Sequence, residues 1–179
     1  MAFTNGLSRS LYDLDRRMGA KDHLGDTLEA VLETYLLEVE AAADSDIHTS
    51  ILLLDGERKH LLHGAAPSLP KDYCDALEGL EIGPSAGSCG TAAYMGHSIF
   101  VTDVTTDPLW SDYRHLPLPA ELRSCWSTPI RSDDGEVIGT FAIYHSAERA
   151  PTEEEILAIK AISGHVARAI ASFNKSHAV

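Results

Sequence analysis

Three cysteines and one run of small residues carry most of the chemistry open to this chain. Cys89 lies in GPSAGSCGTAAYMG, from Gly83 to Gly96, at the head of a short helix-forming stretch, and Cys125 lies in RSCWSTPI. A cysteine near a helix N-terminus has its thiolate favoured by the helix dipole, so one chemistry for Cys89 is that of a nucleophile or redox thiol. A cysteine hydrolase also wants a histidine and an orienting carboxylate or amide. His97, His115, His145 and Asp103 are available, with no family signature around them. The other reading of Cys89 is a small buried hydrophobe. With Cys74 the thiols are odd in number and show no CxxC spacing, which points to reduced cysteines rather than a disulfide framework or a zinc knuckle.

The glycines do not make a nucleotide loop. A Walker loop needs Gly-Lys-Ser/Thr after its spacer, and no lysine occurs between Asp72 and Arg114; no GxGxxG is present either. What remains is Ser88 as the N-cap of a one-to-two-turn helix over CGTAAYM, with Gly96 as its stop. The free N–H groups of such a helix start can receive a ligand oxygen or an anion. His60 and His63 form an HxxH, but on a strand i and i+3 point to opposite faces, so they read as solvated residues and not as a chelate. His165 stands on the closing helix as one histidine without a partner set, and Asp133-Asp134 reads as a turn.

The elements that must position these residues are legible from periodicity. Leu28, Val31, Leu32, Tyr35, Leu36 and Val39 recur at helical spacing, and upstream Leu7, Leu11, Leu14 and Met18 make a short heptad-like seam that packs either on the body or on a second copy. HTSILLLDGERKHLLHGAA reads as two strands turning at Asp55-Gly56. PKDYCDALEGL is a short helical piece closed by Gly79, HSIFVTDV a strand, and Asp107-Pro108 a helix start. RSCWSTPIRS and EVIGTFAIYH form a hairpin about Asp133-Asp134-Gly135. Thr152 with Glu155 is a capping box opening a helix whose stripe is Ile156, Ile159, Ile162, Val166, Ile170 and Phe173. Hairpins imply antiparallel pairing, so the order predicts an α+β domain with a central sheet and terminal helices on one face.

At 179 residues the chain suits one domain. Its 14 basic against 27 acidic residues, net charge -13, leave no basic face for phosphates, which argues against nucleic acid and anionic membrane as partners. No leader-like N-terminus and no apolar run near the ~20 residues of a bilayer span is read, so the expectation is a cytoplasmic protein.

The segments IGPSAGSCGTAAYMGHSIFVTDVTTDPLWSDYR, LRSCWSTPIRSDDGEVIGTFAIYH and APTEEEILAIKAISGHVARAI resemble, in order, the GAF domain family, from about Asp22 to Phe173. The likeness is to the GAF domains of bacterial sensor histidine kinases and of diguanylate cyclases and phosphodiesterases. It implies a GAF-like, PAS-related fold: a twisted antiparallel sheet with the N- and C-terminal helices on one face and a ligand pocket on the other. The expected organisation is an N-terminal helical segment over 1–21 that supplies a dimer seam, a GAF domain over 22–174, and a tail over 175–179. The expected role is small-molecule sensing in two-component or cyclic di-GMP signalling, as a homodimer coupled to a kinase or cyclase output domain, and not catalysis by the domain itself.

The resemblance places the pocket between the Ser88 to Tyr94 helix with the Trp110 to Tyr113 segment above and the strand of Cys125 and Ser127 below. Ser88, Cys89, Thr91, Asp103, Trp110, Tyr113, Cys125 and Ser127 are the candidate ligand-binding residues, with Trp110 and Tyr113 as aromatic walls on a lid. The cofactor is left open. Free methionine sulfoxide reductases resemble the chain at Cys89, but their catalytic cysteine falls here on Thr102 before Asp103. Bilin photoreceptors carry a cysteine beside a histidine where SDYRHLP has His115 alone, and the NKFDE signature of cyclic-nucleotide binders is absent. Two alternatives stand beside the sensor: a thiol-based redox sensor or reductase-like enzyme using Cys89 and Cys125, and a haem- or iron-binding gas sensor.

Overall fold

Asp55 turns the chain between the first two strands. Its carboxylate accepts the backbone N–H groups of Lys59 and His60, at 2.9 and 3.3 Å, and Arg58 takes the one left-handed backbone conformation (φ 58°) found outside glycine among the described residues. The turn joins β1 (Ile47–Leu54) to β2 (His60–Ala65). The computed structural model describes residues 7–20, 27–43, 46–116 and 121–177. Its other elements are α1 (Leu7–Ala20), α2 (Leu28–Ala41), α3 (Lys71–Leu77), β3 (Leu80–Glu81), α4 (Gly87–Met95), β4 (Ile99–Val101), β5 (Ser124–Arg131), β6 (Val137–His145) and α5 (Glu153–His177). The strands form one antiparallel sheet in the order β3-β2-β1-β6-β5-β4. This is the α+β architecture expected from the order of hairpins and helices.

Strand alternation assigns the two faces. Ile47 and Ile51 of β1, Phe141 and Ile143 of β6, and Trp126 and Ile130 of β5 are buried under α1, α2 and α5. Burying an aliphatic or aromatic side chain of this size contributes about 1.5–3 kcal/mol, so a face of this extent holds the helices where their intrinsic propensity would not. On the other face Cys125 pairs with Tyr144 and Ser127 with Ala142, and α3, α4 and the chain from β4 to β5 cover them.

Three features of the terminal helices bear on what the sequence led us to expect. Leu11 and Leu14 are fully buried in this chain's own core against α2 and α5, so the inner seam positions pack on the body; the Leu7 and Met18 side chains lie outside the described residues. In α5 the capping box forms, with Glu155 N–H donating to Thr152 Oγ1 and Thr152 N–H to Glu155 Oε2. It turns Glu155 fully inward, where Arg149 Nη2 donates to both of its oxygens at 2.8 Å, and leaves Ile156 exposed. Finally, α5 is long and apolar enough to cross a membrane by length and composition, a stretch not read from the sequence. Its stripe of Ile159, Ile162, Val166, Ala169 and Ile170 is spent on the sheet, as in the core helix of a globular domain.

Candidate functional site

The small residues of GPSAGSCGTAAYMG let α4 lie close to its surroundings. Gly87 enters the helix at φ 60°, and a methyl on Gly90 would stand 2.7 Å from the Ala86 Cβ. Gly96, at φ 70°, ends the helix by donating its N–H to the Ala92 carbonyl. The N-cap is Ala86 and not Ser88. A side-chain cap is replaced by Thr91, whose hydroxyl accepts the Ala86 N–H at 2.9 Å. Thr91 therefore serves its own helix start.

Freed from capping, Ser88 turns inward. Its hydroxyl donates to the Cys125 carbonyl at 3.2 Å and accepts the Trp110 indole N–H at 3.0 Å, tying α4, β5 and the 3-10 turn at Pro108–Trp110 into one buried node. Trp110 is 4% exposed. The lid expectation is corrected here: Trp110 is an interior anchor, because Asp107 caps the turn through Leu109 N–H and points the indole down onto α4. Tyr113, half-buried, packs on the rim of the same cluster.

Beneath α4, Cys89 and Cys125 share a buried cluster with Tyr73, Trp110, Ala142 and Tyr144. Hydrogen bonding from Cys125 is the largest influence on the Cys89 thiol and, with smaller contributions from Ser127, Thr140 and Tyr144, draws it down to about 7 against the opposing effect of burial. Burial, then the Cys89 partner, pushes Cys125 well up. Ser127 Oγ and Thr140 Oγ1 are buried and bear on the Cys89 sulfur, yet neither makes a hydrogen bond of full geometry. Tyr144 hydrogen-bonds Ser50 through its hydroxyl at 3.0 Å and sets its ring edge-on to Tyr73.

Asp103 stands apart from this group. Its carboxylate accepts from Thr105 N–H and from the hydroxyls of Thr105 and Thr106, and it pairs with Arg123 at 3.5 Å. It is held below the usual carboxylate range by the Thr105 hydroxyl first, and it shapes the turn after β4. The histidines are likewise elsewhere. His60 pairs with Asp55, and His63 with Glu29 of α2; His165, buried on the helical face, meets Asp15 of α1 at 2.9 Å.

The structure thus brings together Ser88, Cys89, Trp110, Cys125 and Ser127, sets Tyr113 at the edge, and leaves Thr91 and Asp103 to local turns. Sequence reasoning missed Thr140, Tyr144 and Ser50. The signal was present in the β5–β6 hairpin: its register opposes Tyr144 to Cys125 and Thr140 to Pro129, on the face of Ser127. Open space lies next door. A cleft of about 530 Å³ at the β1 start and β6 end is lined by Glu40, His48, Ser68 and His145, and by Leu122 and Tyr144, which belong also to the cysteine cluster.

The GAF domain family model matches residues 24–171. Over 107 residues the chain is 40% identical to a methyl sulfide methyltransferase-associated sensor of Methanosarcina acetivorans; the match covers 60% of this chain and 11% of that protein, so the chain spans a small part of that relative's length. Among solved structures, the fold is similar to a free methionine-R-sulfoxide reductase of Neisseria meningitidis in complex with its substrate (TM-score 0.70, 17% identity, 93% of this chain and 89% of that one). It is similar also to residues 122 to 287 of a methyl-accepting chemotaxis protein (TM-score 0.69, 22% identity, 93% of this chain and 99% of that one).

Proposed function

This chain belongs to the GAF domain family, and from that premise we propose that it is a small-molecule-sensing module of a signal-transduction protein, with its ligand seated between α4 and the sheet. The observation that carries this reading is the pair of buried hydroxyls of Ser127 and Thr140 beneath α4, which bear on the Cys89 sulfur but make no hydrogen bond of full geometry. A buried hydroxyl left without a partner costs about 1–3 kcal/mol, and such groups are retained where something else satisfies them. The cover over them, from Thr102 to Leu116, is turns and a single 3-10 turn, and Trp110 pins it to α4, so that cover and helix form one unit over the sheet. A relative at 40% identity that is named a sensor supports the same reading.

In this reading, binding shifts α4 and the cover against β5, and the strain passes through the sheet to α1 and α5, which are joined by Asp15 and His165. The chain pairs with a second copy through apolar residues that α5 leaves outward, Ile156 and Leu157, and an output domain of kinase or cyclase type receives the signal. The domain is not itself the catalyst. Thr102, where the reductases resembled carry their catalytic cysteine, is exposed and has no thiol.

The test is a thermal-shift screen of the purified chain with nucleotides, amino acids, nitrate and haem, read beside its absorption spectrum. A ligand is expected to raise the melting temperature of the parent and not of a folded Ser127→Ala, Thr140→Val double variant. Turnover of free methionine sulfoxide that vanishes in Cys89→Ser would overturn the sensor reading in favour of an enzyme.

A further inference from the structure

We propose that the cleft at the end of the sheet is a second binding site, built for the ammonium head of a primary alkylamine. The inference goes beyond the ligand seated under α4 and does not rest on it. The β1–β6 register pairs Ile47 with His145 and His48 with Tyr144, so strand alternation sends the two imidazoles to opposite faces of the sheet, and the cleft wraps its end. His145 is 4% exposed, and its Nε2 is buried without a hydrogen-bond partner; Nδ1 of His48 is in the same condition. Both residues line the cleft. A buried polar atom without a partner is uncommon and costly, and two of them in the walls of one open volume point to a ligand that supplies what they lack.

The charge of the walls decides which ligand. Glu40, Asp46 and Glu121 line the cleft, and no lysine or arginine is among its described lining residues. Glu40 is held by neutral donors: Oε1 accepts the Thr49 N–H and hydroxyl at 2.8 and 2.7 Å and Oε2 accepts the Ser68 hydroxyl, so the carboxylate is fixed in place with its charge uncancelled by them. Burial, then the Arg149 charge, lowers His145 to about 4, so at neutral pH its imidazole is uncharged and offers one nitrogen lone pair. An anion would meet three carboxylates here, whereas an ammonium group brings three N–H donors and the compensating charge. A bare metal ion does not suit the geometry, since no group of three or more histidine, cysteine, aspartate or glutamate side chains among the described residues could hold one. Ala43, Ile47 and Leu122 add apolar wall for a methylene stem, and a volume of about 530 Å³ lies within the range of small-ligand sites. Leu122 and Tyr144 belong also to the cluster beneath α4, which places an occupant of the cleft against the wall of that site.

The test titrates the full chain, at neutral pH and physiological salt, with putrescine, and separately with its diol counterpart and with magnesium chloride at matched ionic strength. Calorimetry gives the stoichiometry, and nitrogen NMR of protein labelled in its histidine rings reads His48 and His145 directly. The expected result is saturable one-to-one binding of putrescine that moves the ring-nitrogen resonances of both histidines, with neither effect from the diol or from magnesium. Asp46→Asn with Glu121→Gln, both at exposed positions, should weaken binding about tenfold. Asp133→Asn with Asp134→Asn removes the same charge from the turn at the other end of β6 and should leave the affinity unchanged. Ring resonances that stay fixed in the parent, an equal response to magnesium, or an equal loss of affinity in the two double variants would each overturn the proposal. The NMR reading is made on the parent chain, so a folding defect in a variant cannot obscure it.

Discussion

The indole N–H of Trp110 donates to Ser88 Oγ at 3.0 Å, which pins the chain after Asp107-Pro108 to α4 from the inside. An aromatic residue on an irregular segment has thereby become a core element. Trp110→Ala should cost about 3–5 kcal/mol of stability, the range for emptying a buried aromatic site. Trp110→Phe should cost far less, about 1–3 kcal/mol, from the lost hydrogen bond and a remaining gap. Urea denaturation of the three proteins measures both. An alanine variant as stable as the parent would return Trp110 to a lid.

A methyl group on Gly139 would stand 2.3 Å from the Leu52 carbonyl oxygen and 3.2 Å from the Leu53 Cα. These are backbone atoms of the central β1–β6 pair and cannot swing aside. Gly139→Ala should therefore destabilise by at least the ~3 kcal/mol at the upper end of over-packing costs. Gly56→Ala, where nothing lies within 4 Å, should change the melting temperature little. Equal effects at the two positions would show that the close approach does not matter.

Glu155 is fully buried and bound by Arg149 and the Thr152 N–H. Removing one partner of a buried ion pair strands the other, so Glu155→Ala should cost about 3–5 kcal/mol. Thr152→Ala, which removes only the cap hydroxyl, should cost about 1 kcal/mol. Thermal unfolding decides the ranking, and the reverse order would refute the structural weight placed on Glu155.

His145 sits against the Trp126 ring, centroids 4.2 Å apart, and burial, then the Arg149 charge, lowers it from 6.5 to about 4. A base lowered in the fold stays neutral there and takes up a proton on unfolding. Below its ordinary value the unfolded chain thus binds more protons than the folded one. Its contribution is whole above about pH 6.5 and is lost as pH falls toward 4, amounting to about 3 kcal/mol at most. Asp55 and Asp103, both held low by hydrogen bonds, act with the same sign, so the readout is a difference. His145→Gln should show a shallower fall in urea midpoint between about pH 7 and 4.5 than the parent; parallel curves would remove His145 from the account.

Much of this architecture was readable because local signals agreed with one another. Asp55-Gly56, the Asp-Asp-Gly turn and the Thr152–Glu155 box each specify a short piece of backbone through chemistry within a few residues. The site was less legible because its decisive partners are distant in sequence. Ser88 has the composition of a cap, but its hydroxyl is claimed by Cys125 and Trp110. Ile156 falls on the apolar period of α5, but Arg149 draws Glu155 inward and rotates Ile156 out. Neither Thr140 nor Tyr144 looks functional until the hairpin register sets them on the face of Ser127 and Cys125. Periodicity names the faces of an element; it does not say what will stand opposite.

The central ladder joins β1, near the start of the chain, to β6, near its end. A ribosome making this protein releases the β1–β2 hairpin long before its main partner exists, and one edge of β1, with Ile47, Ile51 and Leu52, must wait. Loop closure over that span comes late and slowly, and the waiting edge is open to other chains throughout. The order of synthesis therefore makes the β1 edge the place where a chaperone is most needed, and a chain truncated before Val137 should be recovered in aggregates instead of as a partly folded monomer.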